Sequence, residues 1–243
     1  LPTPTAAGAM NYWDGTAWIE LPATQNDGAA LQMLSGVPTW VGGTPPPPSV
    51  TSVTGRIWMD RNLGATQVAT SYTDAASYGD LYQWGRGTDG HEKRTSGTTT
   101  TLATSDTPGH GDFITTWTSP VDWRSPQNDN LWQGVNGINN PCPSGYRLPT
   151  QAEWETERLS WDTNLTAVAA AFASPLKISL AGNRDGGPSA SIGNAGAHGV
   201  YYSSTVGGTG GHFIRIRDYP SNDVTNIYAA DRRSGLSVRC IKD

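Results

Sequence analysis

Few side chains in this 243-residue chain are spaced for catalysis. Ser174 and Lys177 form an S-x-x-K pair, the arrangement in which a lysine amine activates a serine hydroxyl for acyl transfer. The companion K-T-G and S-D-N motifs are absent, so Lys177 reads instead as the start of a strand with its amine in solvent. The four histidines, His91, His110, His198 and His212, show neither H-x-x-x-H nor Cys/His ligand spacing and specify no zinc site. "GTGGHF", Gly208 to Phe213, lacks the strand-to-helix context of a phosphate-cradling loop and reads as a turn. No catalytic set emerges, and the chain is expected not to be an enzyme.

What the chain does concentrate is binding chemistry. From Tyr201 onward it is crowded with Tyr, Arg, Asp, Asn and Ser, and from Ile178 to Ile241 it contains no Lys, Gln, Glu, Met or Trp, although ten Trp and seven Gln occur elsewhere. In "HFIRIR" a period of two places Ile214 and Ile216 on one face of a strand and Phe213, Arg215 and Arg217 on the other. Two buried Ile leave the aromatic ring and both guanidinium groups exposed. Tyr219, Asp223, Asn226, Tyr228, Asp231 and Arg233 are expected on the loop before "GLSVRC". With Tyr202 and His212 these residues form the candidate ligand-binding set, because Tyr and Arg combine large contact area with adaptable polar groups. Ordinary solvated strand and loop is the competing reading.

The elements that must hold this set are short. Four prolines, Pro45 to Pro48, form a stiff spacer that divides the chain into a β-rich module over 1–44, a linker over 45–50 and a main domain over 51–243, with the variable-looking region at about 200–239. In the module, Asp14-Gly15 and Asn26-Asp27-Gly28 look like turns between aromatic-rich strands. A piece this small buries too little to stand alone, so it is expected to pack against the main domain or against copies of itself, as an anchoring or oligomerisation module. In the main domain, "SYTDAASYGDLYQWGR" predicts a helix capped by Thr73 or Asp74, with Ala75, Tyr78, Leu81 and Tyr82 along one face. "LPTQAEWETERLSW" predicts a second, with Thr150 and Glu153 as a capping box and Trp154 and Leu159 facing inward. The stretch from Arg86 to Trp132 reads as long loops anchored by Trp117, Trp123 and Trp132, and short strands are expected around Ile178–Leu180, Tyr201–Ser203, Phe213–Arg217 and Ser237–Ile241. Two helices, scattered short strands and long loops make an α+β domain.

Bulk properties narrow the partners. A net charge of −5 without a basic cluster argues against binding a phosphate backbone, and no apolar run approaches the roughly 20 residues that span a bilayer. Nucleic acid and membrane insertion are therefore not expected. Beginning at Leu1 rather than Met, the chain reads as a processed product or a piece of something longer. Cys142 and Cys240, if bonded, would close a loop of about a hundred residues worth up to roughly 4.7 kcal/mol. Two buried free thiols are the alternative.

"GRIWMDRNLGA", "YGDLYQWGR", "PCPSGYRLPTQAEWE", "GVYYSST" and "GLSVRCIKD", in this order, resemble the Fibrobacter succinogenes major paralogous domain, a branch of the C-type lectin fold related to formylglycine-generating enzymes. The likeness runs from about Gly55 to Asp243 and is shared with variable proteins of diversity-generating retroelements. It implies a C-type lectin-like domain whose C-terminal residues change while the framework stays fixed, because template adenines are miscopied. An AAC or AAT codon altered at its adenines never yields Lys, Gln, Glu, Met or Trp, the types missing from Ile178 to Ile241. Where the family usually has Trp after Tyr, this chain has Tyr202. The oxidase branch uses two closely spaced C-terminal cysteines, but no cysteine occurs between Tyr201 and Arg239. Lectin-type folds often carry calcium, and the Asp122 to Asn130 stretch has oxygen ligands for a structural ion, while the E-P-N and W-N-D signatures of sugar-binding relatives are absent. No other cofactor is expected. The amino-terminal module loosely resembles one found ahead of adhesive domains in bacterial surface and phage tail proteins. Together these imply an extracellular, cell-surface or virion protein that binds a protein or glycan on a cell, as an adhesin or phage tail tip does. A structural subunit of a pilus or surface layer, or a degenerate relative of formylglycine-generating enzyme, is the alternative.

Overall fold

The computed structural model describes residues 3–4, 7–23, 29–42, 46–117, 119, 121–217 and 225–243, and it divides into two compact units, Leu1–Pro47 and Pro48–Asp243. The first unit holds two antiparallel hairpins. β1 (Met10–Trp13) and β2 (Trp18–Leu21) turn at Asp14–Gly15, where the Asp14 carboxylate accepts from the Thr16 and Ala17 amides at 2.7 and 2.8 Å. β3 (Ala30–Leu34) and β4 (Val37–Val41) form the other. The turn expected at Asn26-Asp27-Gly28 lies outside the described residues.

In the second unit, β5 (Ser49–Thr51), β6 (Ile57–Met59), β7 (Tyr82–Gln83), β8 (Thr98–Thr99), β9 (Phe113–Ile114) and β10 (Tyr146–Arg147) precede α1 (Gln151–Leu159) and α2 (Ala167–Ala173). β11 (Asn183–Arg184), β12 (Ile192–Gly193), β13 (Gly199–Gly207), β14 (Gly210–Ile216), β15 (Thr225–Asp231), β16 (Gly235–Leu236) and β17 (Ile241–Lys242) follow. They assemble into antiparallel sheets ordered β10–β17–β6–β5, β12–β11–β16–β7 and β13–β14–β15, with β8–β9 as a parallel pair.

This corrects the expected fold class. The chain is mostly strand in several small sheets, with two short helices of nine and seven residues, and it supports no identification as a C-type lectin-like or formylglycine-generating-enzyme-like α+β domain. The helix predicted over Ser71 to Arg86 is a single 3-10 turn, Ala75–Ser77, capped by Asp74. Gly79 stops it: its φ is +67°, and a Cβ there would lie 2.4 Å from the Leu63 carbonyl, so the chain leaves the turn and Tyr82 enters β7. Residues Ile178 to Leu180 are buried but form no strand. Trp117, expected as a loop anchor, is 66% exposed, whereas Trp123 and Trp132 are buried.

α1 starts at the capping box: the Glu153 amide donates to Thr150 Oγ1 at 3.2 Å and the Thr150 amide donates to Glu153 Oε2 at 2.8 Å. Trp154 is buried, but Leu159 is exposed, because Glu157 takes the inward position in the last turn. α2, not anticipated from the sequence, is capped by Thr166 and buries Ala167, Val168, Ala170 and Ala171.

Two cores flank the β13–β14–β15 sheet. One gathers Trp58, Trp154, Leu176, Tyr201, Ile214, Ile216 and Ile241. The other gathers Trp84, Trp132, Leu148, Val200, Tyr202 and Val238. Four buried indole N–H groups are satisfied by carbonyls, Trp84 by Ser203 at 3.0 Å, Trp123 by Trp84 at 2.8 Å, Trp132 by Asn139 at 3.0 Å and Trp154 by Tyr202 at 3.2 Å, whereas that of Trp58 in the first core has no hydrogen-bond partner among the described residues. The buried Arg239 donates to Asn62 Oδ1 at 2.8 Å and the Leu176 carbonyl at 2.7 Å, and burial lowers its pKa to about 10. Cys142 and Cys240 are joined by a disulfide that ties the segment before β10 to the last strand. Among the described residues, no helix is long and apolar enough to cross a membrane.

Candidate binding surface on the C-terminal sheet

Register decides which C-terminal side chains share a face. β14 pairs with β13 through Tyr201↔Ile214, Tyr202↔Phe213 and Val200↔Arg215, and with β15 through Phe213↔Tyr228 and Arg215↔Asn226. Directly opposed residues point the same way. Tyr201, Ile214 and Ile216 therefore enter the first core, and both Ile side chains are fully buried as the alternation requires. Val200, Tyr202, Gly211, Phe213, Arg215, Asn226, Tyr228 and Ala230 occupy register positions on the opposite face.

That second face is not uniformly open, which sequence periodicity along one strand does not reveal. At β13 it is covered by the second core. Tyr202 is 0% exposed and donates to the Ser234 and Asp231 carbonyls at 3.0 and 3.2 Å, with Trp132 edge-on at 5.8 Å. Burial pushes its phenol well above the ordinary value. Tyr202 is thus framework, and its assignment as a contact residue is corrected. Gly211 lies against Trp84, whose ring a Cβ at 211 would meet at 2.2 Å.

Toward β15 the cover thins. Phe213 leans on the second core with part of its ring exposed, and stacks on Tyr228 with centroids 5.6 Å apart and planes 27° from parallel. The Arg215 guanidinium sits 4.4 Å above the Tyr228 ring. All three are half-buried. Arg217 follows on the same alternation, and its charge with that of Arg215 adds to burial in lowering the pKa of His198. The result is a strip of aromatic faces and guanidinium groups on the edge of the sheet. Such groups recognise aromatic, carboxylate or hydroxyl-bearing partners by stacking and charge-assisted hydrogen bonds.

The other expected residues lie elsewhere or beyond description. His212 is on the first face and donates from Nδ1 to the Gln151 side-chain oxygen. Asp231 accepts from Arg233 Nη2 at 3.0 Å; Arg233 also donates to the Thr116 carbonyl and stacks 4.7 Å from the exposed Trp117 ring. Tyr219 and Asp223 lie outside the described residues. Arg232, which sequence reasoning passed over, is buried 4.4 Å from the Trp84 ring and bonds Asp129 and the Asn128 carbonyl, the latter at 3.1 Å. A buried Arg inside a polar stretch carries no periodic signal. Trp117 was read from the sequence as an anchor, and only the coordinates show it exposed.

Oxygen-rich loops have partners of their own. Asp122 lies 3.9 Å from Arg232, and burial raises its carboxyl to about 6 despite that charge. Within the Asp122 to Asn130 stretch, Asn128 Nδ2 donates to Asp106 and Asp129 accepts from Arg232. Asp89, His91 and Glu92 place ligand atoms within 4.8 Å of one another. However, His91 Nε2 accepts from the Gln83 amide at 3.1 Å and its Nδ1, 2.7 Å from Asp89, must then carry the proton, so neither nitrogen has a lone pair for a metal. Ser174 and Lys177 are separately engaged, the hydroxyl donating to the Ala171 carbonyl at 2.7 Å and the amine lying 5.1 Å from the Phe172 ring.

Comparison with protein-family models, with curated proteins and with solved structures finds no match to this chain.

Proposed function

We propose that this chain is a ligand- or receptor-binding display protein in which the β14–β15 edge carries a changeable recognition strip on a fixed β-rich framework. One observation carries the reading: Phe213, Arg215 and Tyr228 form a half-exposed stacked cluster while the alternating Ile214 and Ile216 are fully buried. Such a strand can exchange its outer residues at small cost to its inner ones. The residue types on the strip are those that dominate interfaces, and they fall within the set reachable from adenine-mutated AAC or AAT codons. A diversity-generating retroelement as the source of variation, and an adhesive or phage-tail role at a cell surface with a protein or glycan as target, belong to the same proposal.

The test has a genetic and a binding arm. A reverse transcriptase gene beside the coding sequence, with a near-copy of the segment for Tyr201 to Arg239 differing at template adenines, is expected. Exchange of Phe213, Arg215, Asn226 and Tyr228 for those of a sibling variant should replace the ligand profile on an array of glycans and surface proteins. An unchanged profile would place recognition elsewhere, with the exposed Trp117 and its loop the next surface to test.

A further inference from the structure

Three loops of the second unit meet around a cavity of about 290 Å³, lined by residues that include Gly87, Asp89, Asp106, His110 and Asn139 and sharing none with the β14–β15 strip. Asn139 ties the loops together. It is only 6% exposed, and both hydrogens of its side-chain amide are spent on carbonyls, that of Gly85 at 2.8 Å and that of Asp106 at 2.7 Å. Its Oδ1 accepts no hydrogen bond from the described residues and stands 3.9 Å from where a Cβ at Gly87 would lie, on the cavity wall. Unlike the sealed and unbonded Oε1 of Glu157, this oxygen keeps contact with solvent, so an incoming donor can reach it. A largely buried acceptor left without a donor is costly, and a ligand that supplies one recovers that cost. The fully buried Arg86 holds the walls apart at fixed spacing: its Nε donates to Asp89 at 2.7 Å, Nη2 to the His110 carbonyl at 2.8 Å and Nη1 to the Asp112 carbonyl at 2.9 Å.

We propose that this cavity is a binding site for one neutral, hydroxyl-bearing sugar ring. The lining selects that chemistry by what it offers and what it lacks. Asn139 Oδ1 is one fixed acceptor. The Asp106 carboxylate is met by Arg124 Nε at 3.0 Å and Asn128 Nδ2 at 2.9 Å, both on Oδ1, so among the described residues its Oδ2 keeps its lone pairs as a second acceptor. His110 accepts from the Asp112 amide through Nδ1 at 3.1 Å, which places the ring proton on Nε2 as a donor. Hydroxyl groups, which both donate and accept, match this mixture. A cation is disfavoured because Asp89 and Asp106 are already countered by Arg86 and Arg124. An anion is disfavoured because no Lys or Arg is among the lining residues, and a large apolar ligand because no aliphatic or aromatic hydrocarbon side chain is. The size agrees, since about 290 Å³ lies at the lower end of the roughly 300–1,000 Å³ range of ligand cavities. The site is separate from the C-terminal sheet, and the proposal does not depend on what that sheet binds.

Backbone amide NMR spectra of the full chain, titrated with the methyl glycosides of glucose, galactose, mannose, fucose and N-acetylglucosamine, read this directly. At least one glycoside should bind with an affinity on the order of millimolar, as a ligand of so few atoms allows, and should shift the amides of Gly87, Gly109 and Gly111. Gly87→Val fills the cavity without touching a polar group: a Cβ there has no neighbour nearer than 3.9 Å, so melting should be unchanged while the shifts disappear. Asp106→Asn keeps the Oδ1 acceptor for Arg124 and Asn128 but turns the second acceptor into a donor, and should weaken binding about tenfold. Absence of these shifts with all five glycosides, shifts that survive both substitutions, or tighter binding of methylammonium or calcium chloride at the same amides would overturn the proposal.

Discussion

Alternate substitutions along β14 separate framework from exchangeable surface. Ile214 is fully buried in the first core, so Ile214→Ala leaves a cavity costing about 2 to 5 kcal/mol. Arg215→Ala forfeits a partly solvated cation–π contact at 4.4 Å, worth about 0.5 to 1 kcal/mol. Phe213 lies between these cases. It stacks on Tyr228 but also leans on the second core, so about half of the roughly 3 to 5 kcal/mol of a buried Phe→Ala change is expected, near 2 kcal/mol. This half-cost revises the expectation that the Phe213 ring stands exposed alongside the two guanidinium groups. For a unit of this size each kcal/mol moves the melting temperature by about 2 to 4 °C, so Ile214→Ala should fall by roughly 4 to 20 °C and Arg215→Ala by about 1 to 4 °C. Circular-dichroism melts of the three single variants give the ordering. If Arg215→Ala costs as much as Ile214→Ala, the strip is part of the framework and the argument for an exchangeable surface fails.

Three further outcomes follow from the surrounding framework. Burial raises Asp122 to about 6 against the pull of Arg232; a carboxyl with a folded value above its unfolded 3.8 contributes stability below 3.8 that is lost as pH rises through about 6. Relative to Asp122→Asn, the wild type should therefore lose about 2 to 3 kcal/mol across that interval, and parallel denaturant curves for the two would refute the burial argument. Replacing Cys142 and Cys240 together by Ala removes a bridge between residues 98 apart and should cost about 3 to 5 kcal/mol in urea unfolding, whereas a neutral result would mean the bond does not constrain the unfolded chain. Arg239→Met leaves the Asn62 side-chain oxygen and the Leu176 carbonyl without their donor and should cost about 3 kcal/mol by the same measurement; a neutral change would show that these acceptors find other partners.

What the sequence made readable was local. The Thr150/Glu153 box, the Asp14 turn and the Ile214/Ile216 alternation each depend on neighbours within four residues, and each forms as its spacing requires. The predicted helix after Tyr72 failed for a tertiary reason, since Gly79 is pressed against a carbonyl sixteen residues away. Leu159 was misplaced because a short amphipathic helix leaves open which residue of its last turn faces in, and Glu157 took that place with Thr54 donating to it at 3.2 Å. Tyr202 was misread because a strand between two cores is buried on both faces, a situation that alternation along a single strand cannot distinguish from one buried face and one wet one.

The same two-core arrangement limits how a diversified strip could work. Tyr201, Tyr202, Ile214, Ile216, Arg232 and Arg239 all belong to the residue types found across the C-terminal stretch, and all are buried. Composition marks a region, then, but packing selects the positions within it. Gly211 cannot change without displacing Trp84, and Arg232 cannot change without releasing the loop it holds through Asp129 and the Asn128 carbonyl. Against a total stability of about 5 to 15 kcal/mol, several exchanges of about 1 kcal/mol on the outer strip are tolerable together, while a single truncation at Ile214 removes a large share of the margin. A chain that varies to bind must therefore confine its variation to the edge of the sheet where the second core ends. Arg215 and Tyr228 sit at that edge, with Phe213 at its boundary.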